Sequence, residues 1–112
     1  MIVLNSCAKG KAGEREVIRM LRQYWPDACR NLDQCREVSD TLDVKSDALN
    51  TAGVHFQIKR VEKLNVWEAL RQANSEASQF DIPVLAFRRN RGEWYGALPL
   101  DELLALLALR DL

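Results

Sequence analysis

Apolar and polar residues alternate strictly over Val54-His55-Phe56-Gln57-Ile58-Lys59-Arg60, with Val54, Phe56 and Ile58 in one row and His55, Gln57 and Lys59 in the other. A period of two is that of a β-strand, so one row enters a core and the polar row lies on the opposite face. Elsewhere the period lengthens. From about Gly10 to Trp25, Val17, Ile18, Leu21 and Tyr24 recur at spacings of three and four, which predicts a helix stopped by Pro26. A second helix is expected from Asn65 to about Phe80 on the stripe Val66, Leu70, Ala73, Ala77 and Phe80. A third opens at Pro99 on Leu100, Leu103, Leu104 and Leu107, widened by Leu106 and Leu109.

Between the helices the pattern predicts further strands. Ala28 to Leu32 alternates weakly, Asp33 to Thr41 is polar and reads as a loop, and Leu42 to Lys45 is a short strand. Asn50-Thr51-Ala52-Gly53 is the expected hairpin turn into the strand at 54–60. Ile82 to Phe87 is the most apolar strand, with Pro83 tolerable near its start or at an edge. Arg88 to Gly92 turns the chain, and Glu93 to Leu98 returns as a strand carrying Trp94 and Tyr95. The order helix, three strands, helix, two strands, helix describes an α/β sandwich with a mixed central sheet flanked by helices.

At 112 residues the chain is long enough for one core, so residues 1–112 form a single domain. Hydrophobic residues at 47% and charged residues at 29% indicate a globular protein, not a disordered one. There is no apolar run of membrane-spanning length, and the opening Met1-Ile2-Val3-Leu4-Asn5 is too short for a signal peptide, which together imply a cytoplasmic protein and no membrane partner. Cys7, Cys29 and Cys35 have no paired CxxC spacing and read as reduced thiols.

Sixteen basic and sixteen acidic side chains cancel, so any contact with a polyanion must come from local clusters and not from bulk charge. Three clusters qualify: Lys9, Lys11, Arg15, Arg19 and Arg22; Lys59, Arg60 and Lys63; and Arg88, Arg89 and Arg91 beside Asn90. Each is equally well read as a solvated face.

The candidate chemistry lies on the alternating strand. A polar row on a short apolar strand, with an acid on the strand before it, brings a carboxylate, an amide carbonyl and an ammonium close together. Asp43 is the preferred acid, because Leu42 and Val44 would point inward as it points out; Asp40 and Asp47 compete for the role. On the first helix, Glu14 lies three, four and seven residues before Val17, Ile18 and Leu21 and projects from the buried face, whereas Glu16 shares the outer face with Arg19 and Gln23. Glu14 is either a first-turn acid complementing the helix dipole or a carboxylate reaching toward the acid on the strand. His55 is expected to be a partly exposed strand residue.

Lys9 to Glu16, Leu42-Asp43-Val44, Phe56 to Arg60 and Ile82 to Ala86 together resemble the PD-(D/E)xK nuclease superfamily, and within it the Holliday junction resolvases of archaea and phages. The resemblance runs from about Ala8 to Leu104 and departs at Gln57, where the family usually has glutamate. It implies a restriction-endonuclease-like fold, αβββαββα, in a phage, prophage or prokaryotic host. The implied activity is metal-dependent, structure-selective hydrolysis of DNA, with a four-way junction as substrate and a twofold homodimer as the working unit. Glu14, Asp43, Gln57 and Lys59 would be catalytic. Mg²⁺ or Mn²⁺ would be held by Asp43, Glu14, the Gln57 amide and the Ile58 carbonyl, and DNA by Lys9, Lys11, Arg15, Arg60, Lys63, Arg88, Arg89 and Arg91. An amide at position 57 removes one negative charge. It leaves open a second reading, a weakened or inactive nuclease-fold protein that binds DNA or another protein, and it makes Gln57→Glu an expected gain in Mg²⁺-supported activity.

Overall fold

The computed structural model describes residues 6–31 and 45–111, and side chains over 10–31 and 45–110. Most of the strand expected at Leu42–Lys45, Asp43 included, lies outside the described residues, as does the side chain of Lys9.

The elements run α1 (Ser6–Leu21), β1 (Cys29–Arg30), β2 (Ala48–Leu49), β3 (Val54–Arg60), α2 (Val66–Glu76), β4 (Ile82–Arg88), β5 (Tyr95–Ala97) and α3 (Leu100–Ala108), closed by a 3₁₀ turn over Leu109–Asp111. This is an α/β fold with a mixed sheet and three helices. β3 pairs with β4 in parallel and β4 with β5 antiparallel, while β1 and β2 form a separate two-residue antiparallel ladder. The parallel β3–β4 pair needs a crossover, and α2 supplies it. Among the described residues, no helix is long and apolar enough to cross a membrane.

Both faces of β3 are covered. Phe56 and Ile58 pack with Val17, Ile18 and Leu21 of α1, joined by Ala28, Ala48 and Ala86. On the other face α2 buries only Ala69 and Ala73, whose small side chains let the helix lie close to the strands. Leu85, fully buried, is the register partner of Gln57 on that side. His55 and Gln57 are therefore interior residues, 3% and 2% exposed, and the expectation of a partly exposed His55 is corrected. The polar row does lie on the face opposite Phe56 and Ile58, but α2 covers that face.

Other boundaries also differ from the pattern. α1 ends at Leu21, where the N–H groups of Gln23 and Tyr24 turn to the carbonyls three residues back. Pro26 disfavours helical geometry at Trp25, and Tyr24 is left 76% exposed instead of joining the stripe. Asn65 caps α2 by accepting the Glu68 N–H at 3.1 Å, but the helix stops at Glu76 and Phe80 stands outside it. Pro83 sits in β4 beyond the reach of β5, which pairs only with Leu85–Phe87, so no ladder bond is lost on that side. No residue of α3 is buried.

Gly13 positions α1 over the sheet. A Cβ there would meet the Arg60 Cβ at 3.0 Å and the Trp94 ring at 3.3 Å, so any side chain would make these neighbours or the helix give by a few tenths of an ångström. Glu16, expected on the outer face, instead reaches over the ends of β3 and β4 to pair with Arg88 at 2.9 Å and Arg60 at 3.6 Å.

Candidate active site on the open side of strand β3

Among the described residues, β3 has no regular partner strand on the side away from β4. The chain approaches at Ser46 and Asp47, and their side chains take bonds that a neighbouring strand's backbone would otherwise take. Ser46 Oγ accepts the Phe56 N–H at 3.0 Å, the Asp47 N–H donates to the Phe56 carbonyl at 2.8 Å, and Asp47 Oδ2 accepts the Ile58 N–H at 2.8 Å. From the other direction the Asn31 amide nitrogen donates to the Ser46 carbonyl at 2.7 Å. Asp47 is thus fixed level with Gln57. Since the N–H and C=O of one strand residue point the same way, the Ile58 carbonyl emerges beside the Asp47 carboxylate.

The Asp47 carboxyl is pushed up from 3.8 to about 6. Burial is the main cause; the Ile58 N–H opposes it, Glu14 raises it, Lys59 lowers it and Glu76 raises it. The half-buried acid thus lies in the field of a carboxylate from α1, an ammonium from β3 and a carboxylate from α2.

Each neighbour has its own anchor. Glu14 accepts from Arg30 Nε of β1 at 3.0 Å, so its inward projection is compensated by a cation the sequence pattern did not single out. Gln57 Nε2 donates to Glu76 Oε2 at 2.6 Å, and Gln72 Nε2 donates to the other oxygen at 3.3 Å. These bonds hold the Glu76 carboxyl below its ordinary range, chiefly through Gln57. Lys59 shares its face with Phe87, its register partner. Phe87 lines a crevice of about 490 Å³ beyond the carboxyl ends of β3 and β4, formed also by Lys63, Arg89 and Tyr95. Buried beside Gln57, the His55 imidazole has its pKa lowered by burial, and its Nε2 is without a hydrogen-bond partner.

No protein-family model, curated protein or solved structure matches this chain. The chemistry is therefore read from the geometry.

Of the residues singled out in the sequence, Ile58 donates its N–H to the acid beside β3, Glu14 and Lys59 lie in that acid's electrostatic field, and Gln57 bonds to Glu76. The acid the structure places there is Asp47. Counting back across the turn at 50–53 could have pointed to it, because a hairpin closed there sets residue 47 opposite residue 56, next to Gln57. Glu76, Arg30 and Ser46 were missed; each acts through a contact between elements that periodicity does not encode.

The basic residues divide. Lys11, Arg15, Lys63, Arg89 and Arg91 are exposed. Arg60 and Arg88 are committed to Glu16; Arg88 also donates to the carbonyls of Arg89 and Asn90 and lies 5.8 Å from the Trp94 ring centre.

Among the described residues, no group of three or more His, Cys, Asp and Glu is arranged as a ready metal cage. The donors present are hard oxygens: the Asp47 and Glu14 carboxylates, the Ile58 carbonyl and the Gln57 amide. That set suits Mg²⁺ or Mn²⁺, which take one or two carboxylates and complete their shells with water and phosphate. A half-buried carboxylate in the field of a second acid is also a place where a cation would be favoured.

Proposed function

We propose that this chain is a metal-dependent endonuclease of the PD-(D/E)xK type, with a restriction-endonuclease-like fold, that cuts branched DNA such as a four-way junction. The observation that carries the reading is the Asp47 carboxylate, half-buried beside β3, fixed by the Ile58 N–H and in the electrostatic field of Glu14 and Lys59. Asp47, with Glu14, the Ile58 carbonyl and the Gln57 amide, would hold Mg²⁺ or Mn²⁺. Bound there, such an ion supplies charge stabilisation to the phosphoryl oxygens and lowers the pKa of water.

The protein groups then have separate tasks. Asp47 is kept in place by the Ile58 N–H, so its second oxygen is available to a ligand. Lys59 brings an ammonium to the same face as the crevice, where it can neutralise a non-bridging phosphate oxygen or orient the attacking water. Arg30 holds Glu14 against α1. Lys63, Arg89 and Arg91, around the crevice and adjoining turn, are placed to contact phosphates on either side of the scissile bond. A four-way junction presents two equivalent strands, and a twofold homodimer matches it; the exposed leucines of α3 are the surface that supports a second copy.

The decisive experiment is nicking of a panel of four-way junctions, flaps and linear duplexes in Mn²⁺ and in Mg²⁺. Cleavage of the branched substrates, abolished by chelator, is expected. Metal-independent cleavage, or none of any substrate, would contradict the proposal. The non-catalytic reading is favoured by one observation, the engagement of Gln57 with Glu76, and it predicts junction binding without cleavage.

A further inference from the structure

A carboxylate can only accept hydrogen bonds. The 2.6 Å contact between Gln57 and Glu76 therefore requires the amide nitrogen to face α2, which leaves the carbonyl oxygen on the prong turned away from Glu76. Gln57 is 2% exposed, and Gln72 holds the other Glu76 oxygen, so neither member can easily rotate. Glu76 is also close enough to Asp47 for the two charges to feel each other.

We infer that Gln57 and Glu76 form an exchanged acid–amide pair, in which the carboxylate expected on β3 stands instead on α2 and acts as the positioning residue that fixes the Gln57 carbonyl. The inference rests on the nuclease reading for its purpose, though the pairing itself does not require it. An amide at position 57 is then the complement of Glu76 and not a defect. On this reading Gln57→Glu alone would not improve the site, since that substitution places two carboxylates at hydrogen-bond distance, with Asp47 nearby as a third acid. Moving the amide along with the acid restores one donor and one acceptor.

The experiment is a double-substitution cycle on the full chain with Gln57→Glu, Glu76→Gln and the two combined. Thermal midpoints are read without metal, and Mn²⁺ affinity is read by calorimetry with a cleavage-resistant junction present. Gln57→Glu is expected to lower the midpoint by roughly 5 °C. Glu76→Gln is expected to weaken Mn²⁺ binding by roughly tenfold with the fold retained. The double variant is expected to recover both quantities. Additive midpoints in the cycle, or Mn²⁺ binding indifferent to Glu76→Gln, would overturn the inference. Should no protein, parent included, bind Mn²⁺, the nuclease reading falls and the midpoints alone decide: recovery supports the pair and additivity removes it.

Discussion

At the scale of single residues, Asp47 bears the largest electrostatic cost. Its folded pKa of about 6 lies above the ordinary value of 3.8, so the folded protein holds a proton that the unfolded chain releases. The stability this contributes is complete below about pH 3.8 and is lost as pH rises through about 6. Asp47→Asn keeps an oxygen for the Ile58 N–H and removes the buried charge. The variant should match the parent near pH 4 and exceed it by on the order of 1–3 kcal/mol at pH 7 in urea unfolding. A difference that does not change with pH would mean the carboxylate is not buried as described. Metal binding needs the ionised acid, so Mn²⁺ affinity should decline below about pH 6. His55 acts in the opposite sense. With its pKa depressed by burial, it costs stability as pH falls below 6.5, where the unfolded imidazole takes up a proton first.

At the scale of elements, the site depends on α1 lying against the end of β3, and Gly13 is the residue that allows it. Gly13→Val would press a branched side chain onto Arg60 and Trp94 and should cost about 2 kcal/mol, measured as a shift of the urea midpoint at unchanged slope. A variant as stable as the parent would show that the helix can sit further out at no cost. The strand at 54–60 was legible in the sequence because period two survives burial on both faces. The partial burial of Glu14 was legible from its spacing to Val17, Ile18 and Leu21. Asp47 was legible only as a competitor of Asp43, which its apolar flanks favoured and which lies outside the described residues; the turn at 50–53 and the Ser46 and Asp47 side-chain bonds set Asp47 beside β3. The overlong α2 stripe failed for a related reason: Ala77 and Phe80 fit the period, but the backbone at Ala77 is already extended.

At the scale of the molecule, α3 stands out. Nine residues, five of them leucine, form a helix with no buried residue; Leu100 is 66% exposed and Leu104 55% exposed. Apolar surface of this kind favours association, and the proposed dimer places a second copy against it. Sedimentation should find a dimer in the parent, and Leu104→Glu combined with Leu107→Glu should return monomers with an intact fold. A parent that stays monomeric at high concentration would remove α3 as the contact. The three helices and the strands β3, β4 and β5 were legible as changes of period, whereas β2 at Ala48–Leu49 was not. How far α3 stands from the core was not, because a leucine stripe looks the same whether its partner is the chain's own sheet or another copy.

The most direct test of the account compares Mn²⁺-supported nicking of a labelled four-way junction by the parent and by two folded variants, Asp47→Asn and Lys59→Ala. Loss of roughly a hundredfold or more in both is the predicted result. Cleavage at the parent's rate by Asp47→Asn and Lys59→Ala would contradict it.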